Sequence, residues 1–140
     1  MSVKNMSIKV ADIMSRVVLT TDSVQTVHAA VKKMAAQNVG AIVVVGAAGE
    51  VLGIFTERDL MNKVVAKGCD VATTSLKDVM TASPTVVSPD DSIPMVCHLF
   101  KQGAFRHLPV VDQQKNLVGI VSVKDATKAV SDLIGAMIIQ

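Results

Sequence analysis

The sequence has few aromatic residues, few cysteines and almost no excess of charge. It contains three Phe and no Trp or Tyr, so an aromatic platform for stacking single-stranded nucleic acid is not expected. The 14 basic and 12 acidic residues leave a net charge of +2, too small for the clustered basic face that binds duplex DNA or RNA. Cys69 and Cys97 form neither a C-x-x-C motif nor a disulfide framework. We expect reduced thiols and no nucleic-acid partner.

Long apolar runs are also missing. The apolar stretches, such as Ala41–Val45 and Val51–Phe55, are far shorter than the ~18–20 residues that span a bilayer. The N-terminal residues MSVKNMSIKV lack the apolar segment of a secretory signal. These absences predict a cytoplasmic protein that does not enter a membrane.

The chain does have a high apolar content. Half of its 140 residues are hydrophobic and 19% are charged, a composition that excludes a disordered or acidic solvating segment. This length corresponds to one compact domain or two very small ones. Such a chain can bury a core without disulfide or metal support.

The chain consists of two similar halves, which form an internal sequence repeat. A shift of 66 residues, without gaps, aligns the two halves. Identical pairs include Asp12/Asp78, Met14/Met80, Val44/Val110, Val45/Val111, Gly53/Gly119, Ile54/Ile120 and Asp59/Asp125. The segment KGCDVATTS between the halves is polar and unpatterned. We predict a first repeat at residues 8–68, a linker at 69–75, a second repeat at 76–134 and a C-terminal tail at 135–140.

Each repeat shows the same order of elements. A short helix (Ala11–Met14; Leu76–Met80, with Ser75 and Asp78 spaced like a capping box) precedes an extended stretch (Val17–Thr20; Thr85–Ser88). An amphipathic helix follows, with its stripe at Val27, Ala30, Val31 and Met34 or at Ile93, Val96, Cys97 and Phe100. Two apolar runs without polar residues at alternate positions then predict strands that are buried on both faces. A last helix is predicted to start near Glu57 in the first repeat and near Val123 in the second. The pattern predicts an α/β fold, with mixed sheets, of two pseudo-symmetric halves.

The segments GIFTERD at 53–59 and GIVSVKD at 119–125 carry the clearest chemical signal. Each ends a buried strand and opens a helix. The pairs concerned are Thr56 with Asp59 and Ser122 with Asp125. They fit capping boxes, and they equally fit a helix N-terminus whose Asp accepts hydrogen bonds from the vicinal hydroxyls of a ribose. Gly53 and Gly119 are consistent with close backbone packing.

A family resemblance bears on this choice. The repeat, its DIM and DVM starts, the segment RHLPVVD at 106–112 and the paired G-h-h-[ST]-x-x-D endings resemble the cystathionine β-synthase (CBS) domain family. The match covers about residues 8–134, as a tandem pair called a Bateman module. The resemblance implies two repeats packed sheet to sheet. It also implies a regulatory module that senses an adenosine-containing ligand, such as AMP, ADP, ATP, NAD or S-adenosylmethionine, and acts on a separate partner protein.

The resemblance further implies two nucleotide pockets. The first would combine Thr56, Arg58, Asp59, Pro84, Thr85, Val86, Phe105, Arg106 and His107. The second would combine Val18, Leu19, Val39, Gly40, Ala41, Ser122, Lys124 and Asp125. Since Arg binds phosphate through a planar fork and Lys only as a point charge, the first pocket is predicted to hold phosphate more tightly. Solvated surface positions are the alternative for Arg106 and His107.

No catalytic constellation is apparent in the sequence. Cys97 and His98 are helix neighbours whose side chains diverge by about 100°, and the three histidines lack metal-ligand spacing. We therefore expect that the protein is not an enzyme and that it binds neither a metal ion nor a resident cofactor. A homodimer is expected because the last helix of the first repeat carries a wide apolar stripe, at Leu60, Met61, Val64 and Val65. The alternative function is a dimerisation or protein-interaction module that binds no ligand.

Overall fold

The computed structural model describes residues 8–103 and 105–139. Along the chain the elements are α1 (Val10–Ile13), β1 (Thr20–Thr21), α2 (Val27–Gln37), β2 (Ala41–Val45), β3 (Val51–Thr56), α3 (Glu57–Asp59, continued by a π-helical turn at Leu60–Val65), α4 (Leu76–Val79), β4 (Thr81–Ala82), α5 (Ile93–Gln102), β5 (His107–Val111), β6 (Leu117–Ser122) and α6 (Val123–Ile139). This mixture of helices and sheets confirms the predicted fold class. Residues 1–7, which belong to the N-terminal segment predicted not to be a secretory signal, lie outside the described residues. Gln140 of the predicted tail also lies outside them.

The chain forms two compact units. The first unit comprises Val18–Pro84 and Lys115–Leu117. The second unit comprises the described residues of Met1–Val17, Thr85–Gln114 and Val118–Gln140. These units do not coincide with the two sequence repeats, because the first helix of each repeat belongs to the unit formed mainly by the other repeat.

The first unit is built on a four-stranded sheet in the order β1-β2-β3-β4. β1 is parallel to β2, and the other two pairings are antiparallel. Ile42 and Val44 of β2 join Phe55 in the core, whereas the alternate residue Val43 is also fully buried. Since successive side chains point to opposite faces, β2 is buried on both faces, as its unalternating sequence predicts.

The second unit repeats this arrangement in a reduced form. β5 pairs with β6, a parallel bridge joins Val87 to Val110, and an antiparallel bridge joins Ser15 to Ile120. Its core contains Val10, Val87, Val96, Leu108, Val110, Val121 and Ala126. The predicted extended stretches were placed imprecisely: the first repeat has a two-residue strand at Thr20–Thr21, and the second has only the bridge at Val87.

The short helices are exchanged between the repeats. In the first unit the N–H of Leu76, at the start of α4, donates to the carbonyl of Gln25 at 2.9 Å. In the second unit the N–H of Val10, at the start of α1, donates to the carbonyl of Asp91 at 2.8 Å. These bonds occupy equivalent positions under the 66-residue shift.

A glycine lies opposite the extended segment that follows each exchanged helix. Gly53 pairs with Ala82 of β4, and Gly119 precedes Ile120, which forms a bridge with Ser15. A Cβ on Gly53 would lie 2.5 Å from Sδ of Met80, and one on Gly119 would lie 2.6 Å from Sδ of Met14. The backbone carbonyl oxygens of Thr81 and Ser15 would lie 3.0 Å and 2.9 Å from the same two Cβ atoms, closer than almost all real Cβ contacts. The predicted close backbone packing at these glycines is therefore confirmed.

The longer helices begin at the polar caps that their sequences supply. The hydroxyl of Thr26 accepts the N–H of Ala29 at the start of α2, and the hydroxyl of Ser92 accepts the N–H of Met95 at the start of α5. The predicted capping box at Ser75 is wrong, because its side chain forms no cap and Asp78 instead donates its N–H to the Ser75 carbonyl.

The last helices of the two repeats differ in length and form. The first becomes π-helical at Leu60–Val65, whereas α6 continues as an α-helix to Ile139, as its apolar stripe predicts. On the exposed side of α6, Lys128 donates to Asp132 at 2.9 Å, and this hydrogen bond raises the pKa of Lys128.

Candidate functional site

The first strand-to-helix junction is a complete capping box. Thr56, the last residue of β3, has extended backbone angles and accepts the N–H of Asp59 on its hydroxyl at 3.3 Å. In return, Oδ2 of Asp59 accepts the backbone N–H of Thr56 at 3.0 Å and its hydroxyl at 3.3 Å. The capping interpretation of this motif is therefore confirmed.

The second junction has the same geometry. Oδ2 of Asp125 accepts the backbone N–H of Ser122 at 2.9 Å and its hydroxyl at 3.0 Å, and the Ser122 hydroxyl accepts the N–H of Asp125 at 3.1 Å. In both junctions the hydroxyl and one carboxylate oxygen hold the helix start. In both residues Oδ1 takes no part in the cap, so capping does not by itself prevent ligand binding by the same residue.

The two Asp side chains differ in their surroundings. Asp59 is 7% exposed, and its Oδ1 forms an ion pair with Nζ of Lys63 at 3.1 Å. Asp125 is half-buried, and Ala129 stands where the 66-residue shift would place the counterpart of Lys63. The sequence reasoning missed Lys63, although its position four residues after Asp59 on a helix is a signal for such a pair.

The residues before β2 and β5 lie beside these junctions within their own units. The N–H of Glu57 donates to the carbonyl of Gly40 at 3.0 Å, and the N–H of Val123 donates to the carbonyl of Arg106 at 3.0 Å. The Glu57 carboxylate covers Gly40 so closely that a Cβ there would lie 3.1 Å from Oε1. An anionic group thus stands at the first helix start, where the second has the neutral Val123.

The structure assigns the predicted pocket residues to the two units as follows. In the first unit lie Thr56, Arg58, Asp59 and Pro84 of the first predicted pocket, and Val18, Leu19, Val39, Gly40 and Ala41 of the second. In the second unit lie Thr85, Val86, Phe105, Arg106 and His107 of the first pocket, and Ser122, Lys124 and Asp125 of the second. The grouping of these residues into two pockets stays a prediction.

Exposure separates the predicted residues into those that solvent reaches and those that belong to the interior. Arg58, Arg106, Lys124, Thr85, Val86 and Val39 are exposed, and Thr56, Pro84, Phe105, His107, Val18, Leu19, Gly40, Ser122 and Asp125 are half-buried. Ala41 and Asp59 are buried. The cationic side chains are thus accessible to solvent, whereas the side chain of Ala41 contributes to the interior.

Two further features limit the chemistry of the described residues. Within residues 8–103 and 105–139, His, Cys, Asp and Glu form no group of three or more that could hold a metal ion. None of the helices in the same ranges is both long enough and apolar enough to cross a membrane.

Comparison with known proteins identifies the repeat. The family model for the CBS domain matches residues 10–66 and again residues 76–132. The chain is 37% identical over 115 residues to the mitochondrial CBS domain-containing protein CBSX3 of Arabidopsis thaliana. That match covers 79% of the chain and 54% of the plant protein, so the chain spans about half the length of this relative.

Solved structures agree with this assignment. The hexameric CBS-CP12 protein from bloom-forming cyanobacteria superposes with a TM-score of 0.81 at 34% identity, covering 88% of this chain and 72% of that one. The CBS domain pair of protein MJ0100, in complex with 5′-methylthioadenosine and S-adenosyl-L-methionine, superposes with a TM-score of 0.79 at 25% identity, covering 93% and 98%. The two matched repeats, in the order and spacing seen in the sequence, place this chain in the CBS domain family as a tandem pair.

Proposed function

We propose that this chain is a regulatory CBS pair that binds an adenosine-containing ligand and modulates a separate partner protein. The observation that carries the proposal is the duplicated junction, in which a hydroxyl residue and an Asp three residues later fix a helix start. In each junction Oδ1 of the Asp lies outside the cap, and a carboxylate is a suitable acceptor for the vicinal hydroxyls of a ribose. The MJ0100 pair with its two adenosine ligands supports this ligand class.

The exposed cations support a phosphorylated form of the ligand. Arg58, Arg106 and Lys124 are all exposed, and charged groups of this kind form strong hydrogen bonds with phosphate oxygens. The phosphorylated candidates are AMP, ADP, ATP and NAD, and S-adenosylmethionine is the candidate of the same adenosine class that has no phosphate. We propose no catalytic role for this chain.

Thermal unfolding in the presence of each candidate ligand tests this function. A ligand at about 100 times its dissociation constant adds roughly 2.7 kcal/mol to the free energy of unfolding, which raises the melting temperature. Far-ultraviolet circular dichroism is the suitable probe, because the chain has no Trp or Tyr. Cytidine monophosphate and the double variant Asp59→Asn, Asp125→Asn are the controls. If no adenosine ligand shifts the transition at millimolar concentration, the alternative of a ligand-free interaction module is favoured.

We also propose that the chain forms a homodimer through apolar side chains of its last helices. Met61 and Val65 are 59% and 65% exposed, and Ile134 and Ile138 on α6 are 51% and 77% exposed. Val64, which belonged to the predicted stripe, is fully buried and therefore contributes to the core instead. Large exposed apolar side chains in rows favour a partner surface.

A groove on the second unit includes Ile134 of these exposed apolar side chains. It lies between α5 and α6 and has a volume of about 450 Å³, lined by residues that include Phe100, Val130 and Ile134. Light scattering should give twice the 14.7 kDa chain mass, and Ile134→Glu should shift the distribution towards monomer. A monomer of the unsubstituted chain at micromolar concentration would reject the dimer.

A further inference from the structure

The two motif carboxylates are not equally available to a ligand. Both oxygens of Asp59 are already in use: Oδ2 accepts two hydrogen bonds from Thr56, and Oδ1 pairs with Lys63 at 3.1 Å. Nζ of Lys63 also donates to the hydroxyl of Thr81 at 3.4 Å. The Lys63 amine is therefore positioned by both Asp59 and Thr81. Asp59 itself is only 7% exposed.

Asp125 has the same cap but no such amine. Ala129, only 8% exposed, occupies the position that corresponds to Lys63. Within residues 8–103 and 105–139, Oδ1 of Asp125 accepts no hydrogen bond and forms no ion pair. Asp125 is half-buried, so the residue as a whole is more accessible than Asp59, which is 7% exposed.

A vicinal diol placed against Asp59 would have to compete with an ammonium group for the same oxygen. Hydrogen bonds to a free carboxylate are stronger than those between neutral groups, and this gain is reduced where the carboxylate is already neutralised by a cation. We propose that Lys63 is a specificity-determining residue that withholds Asp59 from the ribose, so that the vicinal hydroxyls of an adenosine ligand are recognised by Asp125. This inference rests on the proposed function, because it presupposes that an adenosine ligand binds.

Calorimetric titration of the full chain with AMP and with 2′-deoxy-AMP tests the inference. At the site of Asp125 the unsubstituted chain should bind AMP about tenfold more tightly than the deoxy form, the expected loss for one hydrogen bond to a charged group. Asp125→Asn should abolish this preference, and Asp59→Asn should leave it unchanged. These variants are matched, since each keeps a side-chain oxygen that can accept the cap hydrogen bonds.

Lys63→Ala provides the complementary test, because it gives the first repeat the residue that the second repeat has at this position. It should create a second site that prefers AMP over the deoxy form by about tenfold. Circular dichroism melting verifies that each variant is folded.

Two results would overturn the inference while leaving adenosine binding intact. One is loss of the preference in Asp59→Asn with retention in Asp125→Asn. The other is a Lys63→Ala variant whose preference at both sites equals that of the unsubstituted chain. A chain that binds neither AMP nor its deoxy form at millimolar concentration would overturn the proposed function, and this inference with it.

Discussion

Replacing the motif carboxylate of the first junction should destabilise the fold more than replacing its counterpart in the second. Asp59→Ala removes the acceptor of the Thr56 N–H, at 3.0 Å, and the partner of Lys63, at 3.1 Å. Asp125→Ala removes the acceptor of the Ser122 N–H, at 2.9 Å, but breaks no ion pair. The two substitutions thus share the loss of a cap and differ by one electrostatic contact.

The size of each effect follows from these contacts. Loss of a helix-capping side chain costs about 1 kcal/mol, and this cost is common to both variants. The Lys63 side chain is 41% exposed, so solvent screens the ion pair and its contribution is about 0.3–1 kcal/mol rather than that of a buried pair. We expect Asp125→Ala to lower the free energy of unfolding by about 1 kcal/mol and Asp59→Ala by about 1.3–2 kcal/mol.

Urea unfolding followed by circular dichroism measures both values. A double-mutant cycle of Asp59→Ala with Lys63→Ala isolates the ion pair, and its coupling energy should decrease when salt is added. Asp125→Ala combined with the same Lys63→Ala substitution is the control, for which the two costs should add. A coupling energy of zero between Asp59 and Lys63, or a larger cost for Asp125→Ala than for Asp59→Ala, would refute this reasoning.

Three other substitutions test the core, the strand packing and the phosphate contacts. Phe55→Ala should lower the free energy of unfolding by about 3–5 kcal/mol in the same urea assay, because Phe55 is fully buried. Gly53→Ala should cost about 1–3 kcal/mol, since its Cβ would lie 2.5 Å from Sδ of Met80; an unchanged urea midpoint would contradict the close packing. Arg106→Ala should weaken AMP binding at the first predicted pocket by about tenfold in calorimetry, through the phosphate and not the ribose, and a greater loss in Lys124→Ala would reverse the predicted ranking of the two pockets for phosphate.

Much of the fold and part of the site could be predicted because they depend on interactions that are local in the chain. The apolar stripe of α2 and the unalternating run of β2 identify their elements through helix and strand periodicity alone. The capping boxes at Thr56 and Ser122 join residues three apart, so their spacing in the sequence already contains the geometry. The same reasoning failed at Ser75, where a backbone carbonyl replaced the side chain as the acceptor, a choice that spacing does not reveal.

Other features depend on which of two similar surfaces an element meets. The repeat pattern is nearly the same in both halves, so α1 and α4 could pack on their own repeat or on the other one with similar apolar contacts. The 3.6-residue and two-residue periods describe only which face of an element is apolar, and they do not name its partner. The two motifs have the same form, so the sequence likewise does not show that Asp59 is more buried than Asp125.

The sequence by itself determined that this protein is a duplicated α/β unit with a capped helix start after a buried strand in each copy. Only the tertiary structure decided that α1 and β4 complete the unit formed mainly by the other repeat, through the bridge of Ser15 to Ile120 and the pairing of Thr81 with Ile54. The physical reason is that buried backbone N–H and C=O groups need hydrogen-bond partners, and contacts distant in sequence decide which strand supplies them. Tertiary structure also held Lys63 between Asp59 and Thr81, and this contact distinguishes the two junctions.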